Sequence, residues 1–194
     1  MEHILAVRKQ SAFVAKDGFT AIENNVLPFE ARDLIIAERS TLENDSDFMQ
    51  VIPYVLIKKE NDFLVYRRTK KSGESKLTEK LSCGFGGHIN ISDIVSFKGE
   101  INLRNTIING VWREIDEELE GIVAQPAKII GMIADRSNDV GRVHLGFLIV
   151  LNYTDLPLYT NDESIEIIGF KSIETILRCE SVENWTRIAL EYLE

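Results

Sequence analysis

Three glutamates in the segment 111–122 have the chemistry and spacing to hold a metal ion, and an arginine stands beside them. Glu114, Glu117 and Glu118 stand at positions i, i+3 and i+4, which share one face of an α-helix. Like charges at this spacing repel one another, and crowding them at a core boundary costs more. Mg²⁺ or Mn²⁺ would relieve that repulsion, because carboxylate oxygens are their preferred protein ligands. Arg113, four residues before Glu117, is placed to hold that carboxylate.

An apolar stripe predicts how this helix meets the core. Its members recur every three or four residues, and they are Ile108, Val111, Ile115, Leu119 and Ile122. The three carboxylates then lie half buried at the edge of the stripe, whereas Asp116 and Glu120 project toward solvent. A second interpretation is an ordinary solvated helix surface, since glutamate-rich runs are common.

The residues around the helix resemble the signature of the Nudix (MutT-like) hydrolase family. In that signature a glycine and a glutamate precede Arg-Glu-apolar-x-Glu-Glu-x-Gly-apolar. This chain has Arg113-Glu114-Ile115-Asp116-Glu117-Glu118, then Gly121-Ile122, and upstream Gly86-Gly87-His88-Ile89. The resemblance covers roughly residues 50 to 170. It implies an α/β/α sandwich with a mixed, partly antiparallel sheet, whereas periodicity alone supports only one domain of mixed α and β structure.

Three departures from the family pattern concern the spacing. Leu119 and Glu120 both separate the paired glutamates from the glycine, where the pattern has one residue. Asn105 stands where the family's earlier glutamate would be, eight positions before the arginine. Residues 90–104 resemble an insertion, which carries Glu100. Either Glu100 takes the role of the earlier glutamate or that role is vacant.

The resemblance also implies a reaction and a set of site residues. The reaction is metal-dependent hydrolysis of a phosphoanhydride bond in a nucleoside diphosphate linked to another group. Arg113 would orient rather than react. The implied metal ligands are Glu114, Glu117, Glu118 and the carbonyl of Gly87, and the candidates for the general base are Glu117, Glu118, Glu163 and Glu166.

Substrate contacts are expected from a basic run and from one histidine. Arg67 or Arg68, at the end of a predicted strand, would contact a phosphate; Lys70, Lys71, Lys76 and Lys80 follow them. The alternative for this run is a solubilising loop. His144 lies inside a predicted strand, where a structural hydrogen-bonding role competes with a substrate contact or catalysis.

Two other function classes stay open at this point. The domain could bind a nucleotide or metabolite without hydrolysing it, as a sensor, and Asn105 and the stretched glycine spacing favour that version. It could instead be a structural interaction domain that uses its N-terminal segment and C-terminal helix. The glutamate triad separates these classes, because a module without a metal has little need for three crowded carboxylates.

Composition limits the partners. The chain has 194 residues, 44% hydrophobic and 27% charged, as expected for a globular protein. Its net charge of −9 disfavours nucleic acid polymers and acidic membranes, while a small phosphorylated substrate screened by metal ions is compatible. No membrane span or signal peptide is recognised, so we expect a cytoplasmic protein, and we also expect a homodimer.

Along the chain, residues 1–48 are predicted to be an N-terminal extension packed on the domain. This extension would include an amphipathic helix from Pro28 to about Ser40. Residues 49–194 would form the Nudix-like domain with its C-terminal helices. Within it the pattern predicts hairpins at 51–57 with 63–66 and at 128–134 with 143–151, a strand at 165–170, and helices at 172–177 and 182–193.

Overall fold

A mixed β-sheet with helices packed on it forms the centre of the protein. The computed structural model describes residues 2–12, 15–69 and 80–194. The strands are β1 His3–Arg8, β2 Gly18–Ala21, β3 Leu34–Glu38, β4 Phe48–Lys59, β5 Asp62–Arg68, β6 Leu81–Ser82, β7 Gly84–Phe85, β8 Ser96–Phe97, β9 Glu100–Ile101, β10 Leu119–Glu120, β11 Ile129–Ala134, β12 His144–Asn152, β13 Tyr159–Thr160 and β14 Ile165–Ser172. The α-helices are α1 Lys9–Ala12, α2 Arg39–Leu42, α3 Leu103–Glu118, α4 Ile173–Leu177 and α5 Asn184–Leu193.

The sheet has the order β14-β5-β4-β12-β11-β2, with β1 and β7 also paired to β4, β3 paired to β1, and β6 paired to β5. Strands β4 and β12 run parallel over nine registered positions, whereas the other pairings are antiparallel. The predicted fold class, a mixed and partly antiparallel sheet with helices, is therefore confirmed. The predicted hairpins, the strand at β14 and the helices α4 and α5 are also confirmed. Their ends differ from the predicted ones by two residues or fewer, except that β4 begins at Phe48, three residues before the predicted start.

Strand β4 divides the apolar core into two layers. Val51, Val55 and Ile57 belong to the layer that includes the buried side of α3. Tyr54 and Leu56, on the alternate face, belong to the layer that includes α4 and α5. Because side chains alternate along a strand, a continuous apolar run such as 51–57 indicates a strand covered on both faces.

The N-terminal segment contains a strand where a helix was expected. The helix predicted from Pro28 to Ser40 is wrong: a short 3-10 turn, Ala31–Asp33, leads into β3, and α2 begins only at Arg39. The run Leu34-Ile35-Ile36 favours a strand, and antiparallel pairing with β1 supplies the partner that local propensity could not reveal. Strand β1 also pairs with β4, and β2 pairs with β11. The boundary at residue 48 between extension and domain stays a prediction.

Helix α3, which carries the acidic segment, is shorter than the apolar stripe suggested. The side chain of Asn102 caps its start by accepting a hydrogen bond from the Asn105 amide at 3.1 Å. The helix ends at Glu118, because Leu119 and Glu120 instead pair with β13. Val111 and Ile115 are buried as predicted. In the described part of the chain, no helix has both the length and the apolar character needed to cross a membrane.

Candidate functional site

Arg113 is held at the start of the acidic segment by a buried aspartate. Its Nε lies 3.0 Å from Oδ1 of Asp93, and its Nη2 lies 3.0 Å from Oδ2. Asp93 is only 3% exposed, and its Oδ2 also accepts a hydrogen bond from the Asn90 amide at 2.8 Å. Arg113 Nη2 donates to the His88 carbonyl at 2.7 Å as well. The guanidinium therefore ties α3 to the loop after β7.

The same guanidinium engages two of the three predicted metal ligands. Arg113 Nη1 lies 2.9 Å from Oε1 of Glu114 and 3.1 Å from Oε2 of Glu117. Glu114 is nearly buried, whereas the Glu117 side chain is exposed. Burial is the largest influence on Glu114 and raises the pKa of its carboxyl, although the nearby charge of Arg113 opposes this.

Gly87 touches the carboxylate of Glu114. A Cβ built on Gly87 would lie 2.6 Å from Oε1 of Glu114, closer than real contacts allow, so a side chain there would have to displace the carboxylate. Gly87 and Glu114, two of the implied metal ligands, therefore lie side by side.

Glu118 differs from its neighbours because its carboxylate lacks compensation. Its Oε2 is buried and has no hydrogen-bond partner among the described residues. Burial, and then the charge of Glu114, raises the pKa of Glu118 to about 8, while the charge of Arg68 lowers it. The last turn is held in place because the Glu118 carbonyl accepts hydrogen bonds from Thr160 Oγ1 at 3.0 Å and from the Asn161 amide at 3.2 Å.

These residues suit a hard divalent cation without forming a closed metal cage. Among residues 2–12, 15–69 and 80–194, no three His, Cys, Asp or Glu side chains converge closely enough to hold a metal. Glu114 and Glu117 instead pair with Arg113. The donor set nevertheless fits Mg²⁺ or Mn²⁺, because it combines carboxylate oxygens, an unpartnered Oε2 on Glu118 and a glycine backbone beside Glu114.

The two candidate phosphate-binding arginines lie in different environments. Arg67 Nη1 pairs with Oε2 of Glu166 at 3.2 Å, and both side chains are largely exposed. Arg68 Nε pairs with Oε1 of Glu183 at 2.6 Å, where the Glu183 side chain is only 8% exposed. Because the charge of Arg68 acts on Glu118, it is the arginine on the side of the acidic centre. The predictions for Lys70, Lys71 and Lys76 fall outside the described residues.

The segment around the start of β14 contains an acid, Asp162, beside the two that were predicted as candidates for the general base, Glu163 and Glu166. Glu163 and Glu166 are both exposed. Asp162 is half buried, and its charge is one of those that raise the pKa of Glu118. Its carboxylate accepts hydrogen bonds from the amide and hydroxyl of Ser164 at 2.7 and 2.6 Å. Asp162 is therefore the acid of this loop that acts on the Glu118 carboxyl.

His144 stands beside a second histidine. Its Nδ1 lies 2.7 Å from the Val140 carbonyl, which can only accept, so Nδ1 donates. Its Nε2 lies 3.3 Å from Nε2 of His88. Burial, followed by the charges of Arg39 and His144, lowers the pKa of His88 to about 3, which keeps that ring neutral near pH 7.

Sequence reasoning missed Asp93 and considered two other residues for the earlier acidic position. Glu100 lies exposed in the β8–β9 hairpin, and Asn105 is exposed on α3. The buried acid that pairs with Arg113 is instead Asp93. It is the first acidic residue after Gly87, so a search forward from the glycine would have found it.

Comparisons with known proteins agree with this architecture. No family model matches the chain. It is 34% identical to Protein YmaB of Bacillus subtilis (strain 168) over 162 residues, which cover 80% of the chain and 76% of YmaB. The crystal structure of Tm1382, a proposed Nudix hydrolase, matches with a TM-score of 0.77 and 24% identity, covering 99% of this chain and 98% of that one.

Two further solved structures share the fold at lower similarity. A MutT Nudix hydrolase from Burkholderia pseudomallei matches with a TM-score of 0.53 and 20% identity, covering 75% of this chain and 98% of that one. The Nudix domain of Shewanella oneidensis NrtR, in complex with ADP ribose, matches with a TM-score of 0.55 and 11% identity, covering 75% and 89%. The chain thus belongs to the same protein family as YmaB, and it has the fold of the Nudix hydrolases, as predicted.

Proposed function

We propose that the protein is a metal-dependent hydrolase that cleaves a phosphoanhydride bond in a nucleoside diphosphate linked to another group. The observation that carries the proposal is the buried, unpartnered Oε2 of Glu118 beside the charge of Glu114. A buried carboxylate without a partner costs several kcal/mol, roughly, and is retained where a cation compensates it. The Nudix fold, the Arg113 clamp and the contact between Gly87 and Glu114 give further support.

Glu114, Glu117, Glu118 and the Gly87 carbonyl are the residues that would hold Mg²⁺ or Mn²⁺. A bound divalent cation neutralises a diphosphate and lowers the pKa of coordinated water. The net charge of −9 repels an anionic substrate, and bound cations would offset that repulsion. Arg113 orients Glu114 and Glu117 and takes no proton itself, because guanidinium stays charged throughout the working pH range.

Glu118 is the carboxylate best suited to accept a proton from the attacking water. Its Oε2 has no hydrogen-bond partner among the described residues, whereas Glu117 is paired with Arg113. Burial raises the pKa of Glu118 to about 8 in the metal-free protein, and a bound cation would lower it again. Glu117 remains the second candidate. Glu163 and Glu166 are candidates at the exposed rim, where Glu166 is already paired with Arg67.

The substrate contacts follow from the cations near this centre. Arg68 is the proposed phosphate contact, because its charge already acts on Glu118, and Arg67 is the outer alternative. His144 is proposed to contact the nucleotide part of the substrate. The bound ADP ribose in the NrtR Nudix domain supports a small nucleotide-like ligand for this fold.

A second candidate function is nucleotide or metabolite binding without hydrolysis. The observation that favours it is the pairing of Glu114 and Glu117 with Arg113, since in the described residues no three acids or histidines converge as a cage. In this version the fold would recognise the ligand, and Glu118 would not act as a base.

The test is hydrolysis of a panel of dinucleoside polyphosphates, nucleotide sugars, nucleoside triphosphates and oxidised nucleotides. Reactions contain Mg²⁺, Mn²⁺ or EDTA, with Glu118→Gln as the variant and Glu120→Gln, an exposed glutamate two residues on, as its control. We expect turnover that needs the metal and falls at least about 100-fold in Glu118→Gln only. Equal turnover in both variants would remove Glu118 from the mechanism, and binding without turnover would favour the second candidate.

A further inference from the structure

Gln50, on strand β4, is a buried amide without partners. The residue is 1% exposed, and neither Oε1 nor Nε2 has a hydrogen-bond partner among the described residues. Gln125 provides a contrast within the same chain, because its amide bonds the carbonyl of Asn152 at 2.7 Å and the amide of Asn152 at 3.0 Å. A buried amide whose donor and acceptor are both unpaired destabilises the fold unless a ligand or a water satisfies it.

The register of the sheet places Gln50 next to the histidine pair. Gln50 and His144 are partners on the parallel strands β4 and β12, so their side chains leave the same face of the sheet. The His144 ring is fixed by the Val140 carbonyl, and its Nε2 is 3.3 Å from that of His88. Three polar side chains from three separate segments therefore meet at this end of the sheet.

This polar group adjoins the acidic centre. His88 directly follows Gly87, the residue that touches Glu114, and its carbonyl accepts a hydrogen bond from Arg113. Two residues beyond His144 on the same face, Gly146 lies against an aromatic ring, since a Cβ there would be 2.7 Å from the Trp185 ring. Trp185 belongs to the core layer on the face of β4 opposite to α3, so the polar group is linked to the acidic centre through His88.

We propose that Gln50, with His88 and His144, recognises the nucleobase of the substrate. A primary amide presents a donor group and an acceptor side by side, which matches the donor and acceptor edge of a base. The imidazole rings of His88 and His144 add further hydrogen-bonding nitrogens beside it. The inference rests on the proposed function in assuming a nucleotide substrate, and it assigns that substrate's base to this site.

Nucleoside monophosphates test the site without turnover, because they contain no phosphoanhydride bond. Calorimetry would compare AMP, GMP, CMP and UMP with ribose 5-phosphate, which lacks the base, in wild type, Gln50→Leu and the control Gln125→Leu. We expect wild type to bind at least one monophosphate more tightly than ribose 5-phosphate. Gln50→Leu should reduce that preference about 10-fold and leave ribose 5-phosphate binding unchanged, while Gln125→Leu keeps the preference.

Thermal unfolding of the same proteins separates recognition from a structural role. If the amide serves a ligand, Gln50→Leu should unfold at a higher temperature than wild type, because the unpartnered polar group is gone. A lower unfolding temperature together with an unchanged base preference would show that Gln50 instead binds a structural water, and would overturn the proposal. Absence of any base preference in wild type would overturn it as well.

Histidine variants provide an independent test of the proposed base site. His88→Asn and His144→Asn should each weaken the base preference, whereas His3→Asn, at the exposed third histidine, should not. Glu118→Gln should lose turnover and keep the base preference. If no substrate is hydrolysed but Gln50→Leu still reduces the base preference, only the proposed reaction is rejected. If substrate is hydrolysed but Gln50→Leu leaves the base preference unchanged, only the base site is rejected.

Discussion

The two ends of the acidic segment on α3 differ in how their charges are compensated. At the first end, Arg113 joins Asp93, Glu114 and Glu117 with hydrogen bonds and ion pairs within the protein. At the second end, Glu118 has a buried oxygen with no partner in the described part of the chain, and its pKa is raised. The comparison separates a part of the segment whose charges are compensated within the protein from a part whose buried oxygen has no partner in the described residues.

The largest expected effect comes from breaking the compensated end. Arg113→Met would leave Asp93 and Glu114 buried without a cation, so we expect the free energy of unfolding to fall by about 3 to 5 kcal/mol. Arg142→Met is the control, because its pair with Asp139 is exposed and should change stability by less than about 0.5 kcal/mol. Urea unfolding would measure both, and similar losses would contradict the distinction.

The neighbouring arginines on β5 repeat the comparison on a smaller scale. Arg68→Met would leave the buried Glu183 unpaired and should cost about 2 to 3 kcal/mol of unfolding free energy. Arg67→Met removes only the exposed pair with Glu166 and should cost less than about 0.5 kcal/mol. Denaturant titration of both variants measures this difference, and a larger loss for Arg67→Met would reverse the assignment of the inner arginine.

The incomplete end should gain stability when its charge is removed. In EDTA at pH 8, Glu118→Gln should raise the unfolding free energy by about 1 to 2 kcal/mol, since a charged, unpartnered oxygen becomes a neutral amide. The exposed Glu120→Gln serves as the control. A loss of stability in Glu118→Gln would mean that its carboxylate is compensated in the free protein.

The same variant gives a pH dependence with a defined sign. Burial raises the pKa of Glu118 in the folded protein from the usual 4.5 of a glutamate to about 8, so the folded state binds more protons between these values. Metal-free wild type should therefore lose stability as the pH rises from about 5 to 8, and Glu118→Gln should show a shallower slope. Part of the slope should remain, because burial raises the pKa of Glu114 too.

The smallest effect is stabilisation by the metal itself. Free Mg²⁺ at about five times its dissociation constant should stabilise wild type by about 1 kcal/mol, because it binds the folded state only. Glu118→Gln should gain clearly less, as measured by differential scanning fluorimetry with Mg²⁺ and with EDTA. An equal gain in both proteins would show that the ion binds elsewhere.

The sequence predicted those features that depend on local pattern. The continuous apolar run of β4 predicted a strand, and the glutamate spacing predicted that Glu114 and Glu117 share one face of α3, where Arg113 pairs with both. Glu117 is exposed and not half buried as predicted. The β3 segment was misassigned because its apolar positions fit either period, and only pairing with β1 decides between them. Local pattern thus fails where a long-range partner makes the choice.

The site residues that were missed depend on contacts between distant segments. The buried acid that pairs with Arg113 is Asp93, not Glu100 or Asn105, because the turn Ile91–Asp93 brings it to α3. The state of Gln50 cannot be read from its neighbours in sequence, since burial and the lack of partners arise only when β1 and β12 flank β4. The spacing of residues in the sequence identified the acidic helix but not Asp93 or Gln50, which lie on other segments.

The pairing of β2 with β11 has a consequence for how the protein is made. Ala21 and Gly131 are registered partners although 110 positions separate them in the chain. A ribosome must therefore synthesise most of the protein before β2 can join the sheet. Contacts between such distant segments slow folding, and we expect β2 to dock late, after β11 and β12 have paired.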